Sequence, residues 1–157
     1  MTKAILPSPI GPILIEAGEE RLRAISILPG EAPSGIGAPP PGSIAAEAAG
    51  QLAAYFDRRL DRFDLPLLPA ASPRGAALRD AIAAIPIGET ISYGALARIA
   101  RSAPRAIGQA CARNPFPILI PCHRVIGSGG TIGHYSAGRG IVTKTWLLDH
   151  ERRGGLL

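Results

Sequence analysis

Histidine and cysteine are missing from the first 110 of this chain's 157 residues, which excludes a cysteine- or histidine-based zinc site there. The whole sequence holds two cysteines, Cys111 and Cys122, without CxxC spacing, so neither a zinc ribbon nor a thioredoxin-like pair is indicated. No stretch approaches the roughly 20 uninterrupted apolar residues of a membrane-spanning helix. The start, Met1 to Pro7, is too short and too soon broken by proline for a signal peptide. A cytoplasmic protein with both thiols free is expected. No GxxxxGK[ST] phosphate loop and no internal repeat occurs.

What is present is enough apolar residue for a core, 46% of the chain, and an uneven distribution of charge. Residues 1 to 89 carry eight Lys/Arg against ten Asp/Glu, whereas residues 90 to 157 carry nine against two, for net charges of −2 and +7. A positive field concentrated in one half suits a polyanion such as duplex DNA; a solvated basic face is the plainer alternative.

Short apolar runs in residues 9 to 28, around the polar turn Gly18-Glu19-Glu20, predict a β-hairpin. Residues 29 to 43, with five prolines and four glycines, predict a loop. Ser43 caps a helix expected over 44 to 62, where Ile44, Ala48, Leu52, Tyr55, Phe56 and Leu60 recur at helical spacing. Leu65 to Pro73 reads as a linker between a first domain, 1–70, and a second, 71–157. There the pattern predicts helices over Arg74 to Ala84, Tyr93 to Arg101 and Arg105 to Arg113. Pro104 falls in the first turn of the third, and Asn114-Pro115 ends it. The last two outline a helix-turn-helix. Ala106, Gly108, Ala110 and Ala112 make its second helix slim, and Arg105 and Arg113 make it basic. Such a helix fits a minor groove, or equally packs closely against a neighbouring helix.

The run Pro121-Cys122-His123-Arg124-Val125 sets a cysteine in a stiff, basic surround. Pro115, Pro117 and Pro121 stiffen the approach, and Ile118-Leu119-Ile120 would bury the thiol like a strand. A free thiol is only a few per cent ionised at pH 7, and the thiolate is the nucleophile, so something must stabilise the anion. His123 is next in sequence, but neighbours in an extended segment point to opposite faces, which leaves a bridging water or a turn to connect them. Asp149 or Glu151 is placed to orient the histidine, with His150 facing elsewhere. Other readings of these residues are a small buried cysteine and a zinc site made from Cys122, His123, His134 and His150. The spacing of the four matches no common zinc motif. Cys111 reads as a small side chain that fits its helix.

Arg105-Ala106-Ile107-Gly108, Asn114-Pro115, the Cys122 run, Tyr135-Ser136 and Lys144 through Glu151 follow one another in an order that resembles the O6-alkylguanine-DNA alkyltransferases, over residues 72 to 152. The resemblance implies an N-terminal α/β domain with a small ribonuclease-H-like sheet and a mainly α C-terminal winged helix-turn-helix domain. It implies stoichiometric, irreversible transfer of an alkyl group from O6-alkylguanine, and from O4-alkylthymine, to Cys122. No cofactor or metal is needed, the partner is double-stranded DNA carrying the lesion, no membrane is involved, and the protein is expected to be a monomer.

By the same resemblance Cys122 is activated through a water by His123, which Glu151 orients, and Asn114 organises the turn. Tyr93 donates to the guanine ring, and Arg105 fills the space of the flipped nucleotide. Ala106, Gly108, Ala110, Arg113 and Arg124 are expected at the DNA, and Val125, Tyr135, Ser136 and Lys144 at the substrate pocket. Tyr93 to Arg105 is about two residues shorter than in the family, without the usual glycine at Ser102-Ala103, and Tyr135 to Lys144 is about two longer. Two other readings are a non-catalytic lesion-binding protein, which in related chains has tryptophan at the nucleophile's place, and a thiol acceptor for small alkylating molecules.

Overall fold

The computed structural model describes residues 1–155, with side chains to residue 152. The expected end of the second domain, residues 156 and 157, lies outside them. The chain divides into two compact units, one of residues 1–68 with 137–139 and one of residues 69–136 with 140–157.

The first unit is an antiparallel sheet in the order β1 (Thr2–Leu6), β2 (Ile13–Ala17), β3 (Leu22–Ile27), with α1 (Ile44–Phe56) packed on it. In β2, Ile13, Ile15 and Ala17 are buried while Leu14 and Glu16 are not, the two-residue period of a strand with one face on a core. Ala4, Ile15 and Ile25 lie opposite one another across the three strands. The predicted hairpin is β2 and β3, closed by Gly18 N–H donating to Arg21 O at 2.8 Å. The sequence reading left out β1, whose five residues, ended by Pro7, are too few to display alternation. The loop 29–43 contains no helix or strand, and Gly37 O accepts from Ile5 N–H at 2.9 Å.

Ser43 caps α1, its Oγ accepting from Ala46 N–H at 3.1 Å. Ala45, Ala48, Leu52 and Tyr55 form the buried stripe, and the alanines let the helix approach the sheet closely. The helix ends six residues before the expected 62. Arg58 turns left-handed (φ 58°) and Arg59 N–H closes back on Ala54 O at 2.8 Å, a cap that takes Leu60 off the helix. The predicted linker is structured at its start: Leu22 N–H donates to Pro66 O at 2.7 Å and Leu68 N–H to Leu22 O at 2.8 Å. Ala137–Arg139 joins this unit through Gly138 N–H, which donates to Ile27 O at 3.1 Å.

The second unit contains α2 (Pro73–Ala83), β4 (Ile91–Ser92), α3 (Tyr93–Ile99), α4 (Pro104–Ala112), a 3₁₀ turn (Cys122–Arg124), β5 (Val125–Ile126) and α5 (Ile141–Gly155). Ser72 and Ser92 cap α2 and α3 by accepting from Gly75 N–H at 3.0 Å and Ala95 N–H at 3.1 Å. Leu78 and Ile82 of α2, Leu96 of α3, Ile107 of α4 and Phe116 are buried here. The turn from α3 to α4 manages without glycine because Arg101 itself adopts the left-handed conformation (φ 52°), with Ser102 N–H donating to Ala97 O at 2.8 Å. Pro104 then starts α4, where its missing N–H costs nothing.

A two-residue parallel ladder, Ile91 beside Val125 and Ser92 beside Ile126, sets the start of α3 next to the segment that follows Cys122. It is this pairing that brings Tyr93 to the cysteine. Among the described residues no helix is long and apolar enough to cross a membrane.

Candidate active site

Cys122 opens the 3₁₀ turn and is 5% exposed. The residues before it do not form the expected strand. They are buried, but Ile118 adopts φ 75°, a left-handed conformation costly for a β-branched side chain, and Ile120 N–H folds back on Phe116 O at 2.9 Å. Asn114 holds this strained turn. Its Oδ1 accepts from Phe116 N–H at 2.9 Å, and its Nδ2 donates to Ile120 O at 2.8 Å and to Cys122 Sγ at 3.2 Å. One amide thus ties the end of α4 to the nucleophile's backbone and to its sulfur.

Behind the cysteine lies a buried ionic cluster. His123 Nε2 is 2.7 Å from Glu151 Oε2, and Arg124 donates from Nε to Oε1 at 2.8 Å and from its second terminal nitrogen to Oε2 at 3.0 Å. The remaining guanidinium nitrogen donates to Ile85 O at 2.6 Å. Burial alone would raise the Glu151 carboxyl, but hydrogen bonds and charge from His123 and Arg124 outweigh it and hold the group well below the usual carboxylate range. Burial lowers the His123 pKa, against the pull of Glu151, so the imidazole is neutral at pH 7. The ionised carboxylate can only accept, which puts the ring proton on Nε2 and leaves Nδ1 with its lone pair. Nδ1 is buried and has no hydrogen-bond partner among the described residues.

Of the two acids open from sequence, Glu151 meets His123. Asp149 is solvent-exposed and 4.0 Å from Arg152, and His150 faces away, stacked on Trp146 with ring centroids 4.8 Å apart. The expectation that Arg124 contacts DNA is corrected: it is 5% exposed, and all three of its guanidinium nitrogens donate inward, two to Glu151 and one to Ile85 O. Among the described residues no three His, Cys, Asp or Glu side chains are grouped to hold a metal.

Cys122 lines a cavity of about 450 Å³ with Tyr93, Tyr135 and Ser136, and α4 closes it with Arg105, Gly108 and Cys111. Tyr135 is 7% exposed, and its hydroxyl has no hydrogen-bond partner among the described residues. Burial, then the two thiols, raises the pKa of Tyr93, which keeps its proton as a donor. Lys144 is fully buried, donating from Nζ to Val125 O at 2.8 Å and His134 O at 3.1 Å, with Tyr93's ring 5.9 Å away. Its role here is to pin the backbone on either side of the glycine-rich loop. Val125 is buried in β5 and contributes that carbonyl.

Sequence reasoning missed Cys111. The sequence makes it a side chain that merely fits its helix, yet it lines the same cavity as Cys122. The neighbouring Cys111 thiol, then Asn114 Nδ2 and the Lys144 charge, hold the Cys122 thiol down to about 7 against the opposing effect of burial. No pattern could have signalled it, since it depends on α4 returning beside the 3₁₀ turn.

The slim face of α4 divides in two. Arg105 and Gly108 border the cysteine cavity, while Ala106, Ala110 and Arg113 border a second cavity of about 530 Å³ against α2. The second is larger, but its lining has no thiol, imidazole or carboxylate. The exposed strip is Arg105, Gln109, Ala112 and Arg113; Gln109 is an addition to the expected set. A Cβ on Gly108 would meet nothing within 4 Å, so packing inside the protein does not require glycine there.

Residues 75–153 match the family described as 6-O-methylguanine DNA methyltransferase, DNA binding domain. A methylated-DNA–protein-cysteine methyltransferase of Methanosarcina acetivorans is 38% identical, with 96% of this chain and 98% of that protein covered. A DNA base-flipping protein of Thermus thermophilus is 37% identical over 93% and 97% of the two chains. The structure of Mycobacterium tuberculosis OGT in complex with DNA superimposes with a TM-score of 0.83 at 33% identity, covering 98% of this chain and 94% of that one.

Proposed function

Because this chain belongs to the 6-O-methylguanine DNA methyltransferase family, we propose that it repairs DNA by taking an alkyl group from O6-alkylguanine irreversibly onto Cys122. One observation carries the assignment to Cys122: a buried sulfur, anchored by Asn114, faces a cavity next to a neutral histidine whose Nε2 is held by Glu151 and whose Nδ1 has no partner among the described residues. A water between Cys122 Sγ and His123 Nδ1 carries the thiol proton to the imidazole. The thiolate attacks the alkyl carbon, the C–O6 bond breaks, and its electron pair goes to the guanine, to which Tyr93 O–H donates a hydrogen bond; the guanine anion then takes a proton from water as the imidazolium gives its own up. The thioether product has no easy way back, so each molecule acts once and needs no cofactor.

Carbonyls of Cys122 and Val125 and the hydroxyl of Ser136 recognise the base, Tyr135 packs against it, and Lys144 holds the Val125 carbonyl in place. About 450 Å³ is within the range of small-ligand sites, as a flipped nucleobase requires. O4-alkylthymine is a second substrate of the same chemistry. The α3–α4 pair acts as a helix-turn-helix, with α4 against the minor groove; the open space over Gly108 supports that use over internal packing. The N-terminal unit is read as an α/β domain with a small ribonuclease-H-like sheet, and the protein as a cytoplasmic monomer with domains 1–70 and 71–157. Intact-mass measurement after incubation with a duplex containing O6-methylguanine tests the reading. One added methyl per molecule is expected; tight lesion binding with no gain would favour the reading as a non-catalytic lesion-binding protein.

Flipping the nucleotide costs a few kcal/mol, which an inserted arginine offsets in part. Arg105→Ala is therefore expected to slow repair of duplex substrate about tenfold, an effect of roughly 1.4 kcal/mol, while reaction with free O6-benzylguanine stays within about twofold. Equal losses on both substrates would remove Arg105 from the flipping step.

A further inference from the structure

α4 has a second flank that the alkyl-transfer reading leaves without a task. On the side away from Cys122 its Ala106, Gln109 and Ala110 border the cavity of about 530 Å³ shared with α2. Three arginines line the same space, Arg74 and Arg79 from α2 and Arg113 at the end of α4, and the lining holds no Asp or Glu. Arg79 is held in the wall, its guanidinium 5.4 Å from the centre of the Phe116 ring. Arg74 and Arg113 are exposed, and among the described residues neither is in an ion pair. Arg74 donates to the neutral hydroxyl of Ser102 at 3.1 Å, which leaves its charge uncompensated. The N-terminal end of α2, capped by Ser72, borders the cavity as well and adds the positive end of a helix dipole.

A concave surface with three guanidiniums and no carboxylate suits a phosphodiester, whose charge is fixed and whose oxygens only accept. A helix lying in a minor groove has one sugar–phosphate strand on each side. The flipped nucleotide enters the cavity of Cys122, Tyr93 and Arg105, so the lesion strand runs along that flank of α4. The arginine flank then faces the other strand. Resting on the alkyl-transfer reading, we propose that the α2–α4 cavity seats the backbone of the strand opposite the lesion, with Arg74 and Arg113 on its phosphates. The sequence places Arg113 at DNA without choosing a strand and gives Arg74 no role. Small side chains at Ala106 and Ala110 let the backbone come close to α4. Phosphate contacts carry no sequence information but fix register, so the partner strand stays in place while the lesion nucleotide rotates out on the other side. The inner wall of the cavity includes Asn114, Pro115 and Ile120, the turn that carries Cys122, so both strands are held against one element.

The test uses full-length protein with Cys122→Ser, which keeps the complex unreacted, and follows binding of an O6-methylguanine duplex against salt concentration with and without Arg74→Ala. Loss of one phosphate contact is expected to make the slope of log affinity on log salt shallower by about 0.9 and to weaken binding at physiological salt on the order of fivefold. Neutral methylphosphonate linkages, placed one at a time on either strand, locate the contact. On the strand opposite the lesion they should weaken binding, and at one position the penalty should disappear in Arg74→Ala. Arg113→Ala should remove the penalty at another position of that strand. Arg74→Lys keeps the charge and Ser102→Ala removes only the hydroxyl partner, so both should retain the slope. A slope unmoved by Arg74→Ala, a lysine variant as weak as the alanine one, or a penalty that disappears on the lesion strand instead would overturn the inference and leave methyl transfer standing. A protein with Cys122 intact that accepts no methyl from the same duplex, while the slope and the strand pattern still depend on Arg74, would remove the repair reading and keep the grip on the opposite strand.

Discussion

Cys122→Ala and Cys122→Ser are expected to abolish methyl transfer, with a fall of at least about 1000-fold for the serine variant, because a hydroxyl at neutral pH supplies almost none of the anion that a thiol near its pKa supplies. Lesion binding should stay within about threefold of wild type. The exposed strip of α4 is separate from the sulfur, and neither substitution removes a basic side chain. The measurement pairs intact mass with a binding titration on one O6-methylguanine duplex. A methyl found on Cys111 would move the nucleophile to the other thiol that lines the cavity. Binding lost together with transfer would mean that Cys122 holds the site's shape, not only its chemistry.

Much of this site is legible in sequence because its chemistry is concentrated in short runs. A cysteine between proline and histidine, preceded by Asn114-Pro115, has few structural explanations, and Asn114 does bridge the turn to the sulfur. The helices are readable from their capping serines and from prolines at their first positions. What stays illegible depends on residues distant in the chain. Arg124 looks like a DNA contact in a basic segment, and only the arrival of Glu151, 27 residues later, turns it inward. The parallel pairing of β4 with β5 spans two residues per strand, too short for any periodic signal. The left-handed Ile118 could not be read from an apolar run that looks like a buried strand, since side-chain bonds from Asn114 decide it. At Gly108 nothing inside the protein accounts for the small residue, since an added Cβ would meet nothing within 4 Å.

Glu151→Gln is expected to lower both stability and rate, and the pH dependence separates the two. The carboxylate accepts from His123 and twice from Arg124; an amide has one oxygen, so either orientation turns its NH₂ toward a guanidinium donor. Removing one partner of a buried ion pair costs about 3 kcal/mol or more, which for a protein of this size lowers the melting temperature by roughly 6 to 12 °C. When the NH₂ faces His123, the ring proton is driven to Nδ1, the nitrogen that must accept from the thiol, and transfer at pH 7 should slow by about tenfold or more. Hydroxide can ionise Cys122 without the histidine, so the deficit should shrink toward pH 9, whereas misfolding would give a loss independent of pH. In wild type the folded pKa of Glu151 is depressed, so its contribution is present above the unfolded value of 4.5 and is lost as the pH falls below it. His123 is also depressed by burial, so its unfolded form gains a proton first and stability starts to fall below pH 6.5. Urea unfolding between pH 7.5 and 3.5 should show both declines in wild type and only the histidine's in Glu151→Gln. A variant as acid-sensitive below pH 4.5 as wild type would take that decline away from Glu151, and a transfer rate unchanged at pH 7 would remove the carboxylate from the proton path.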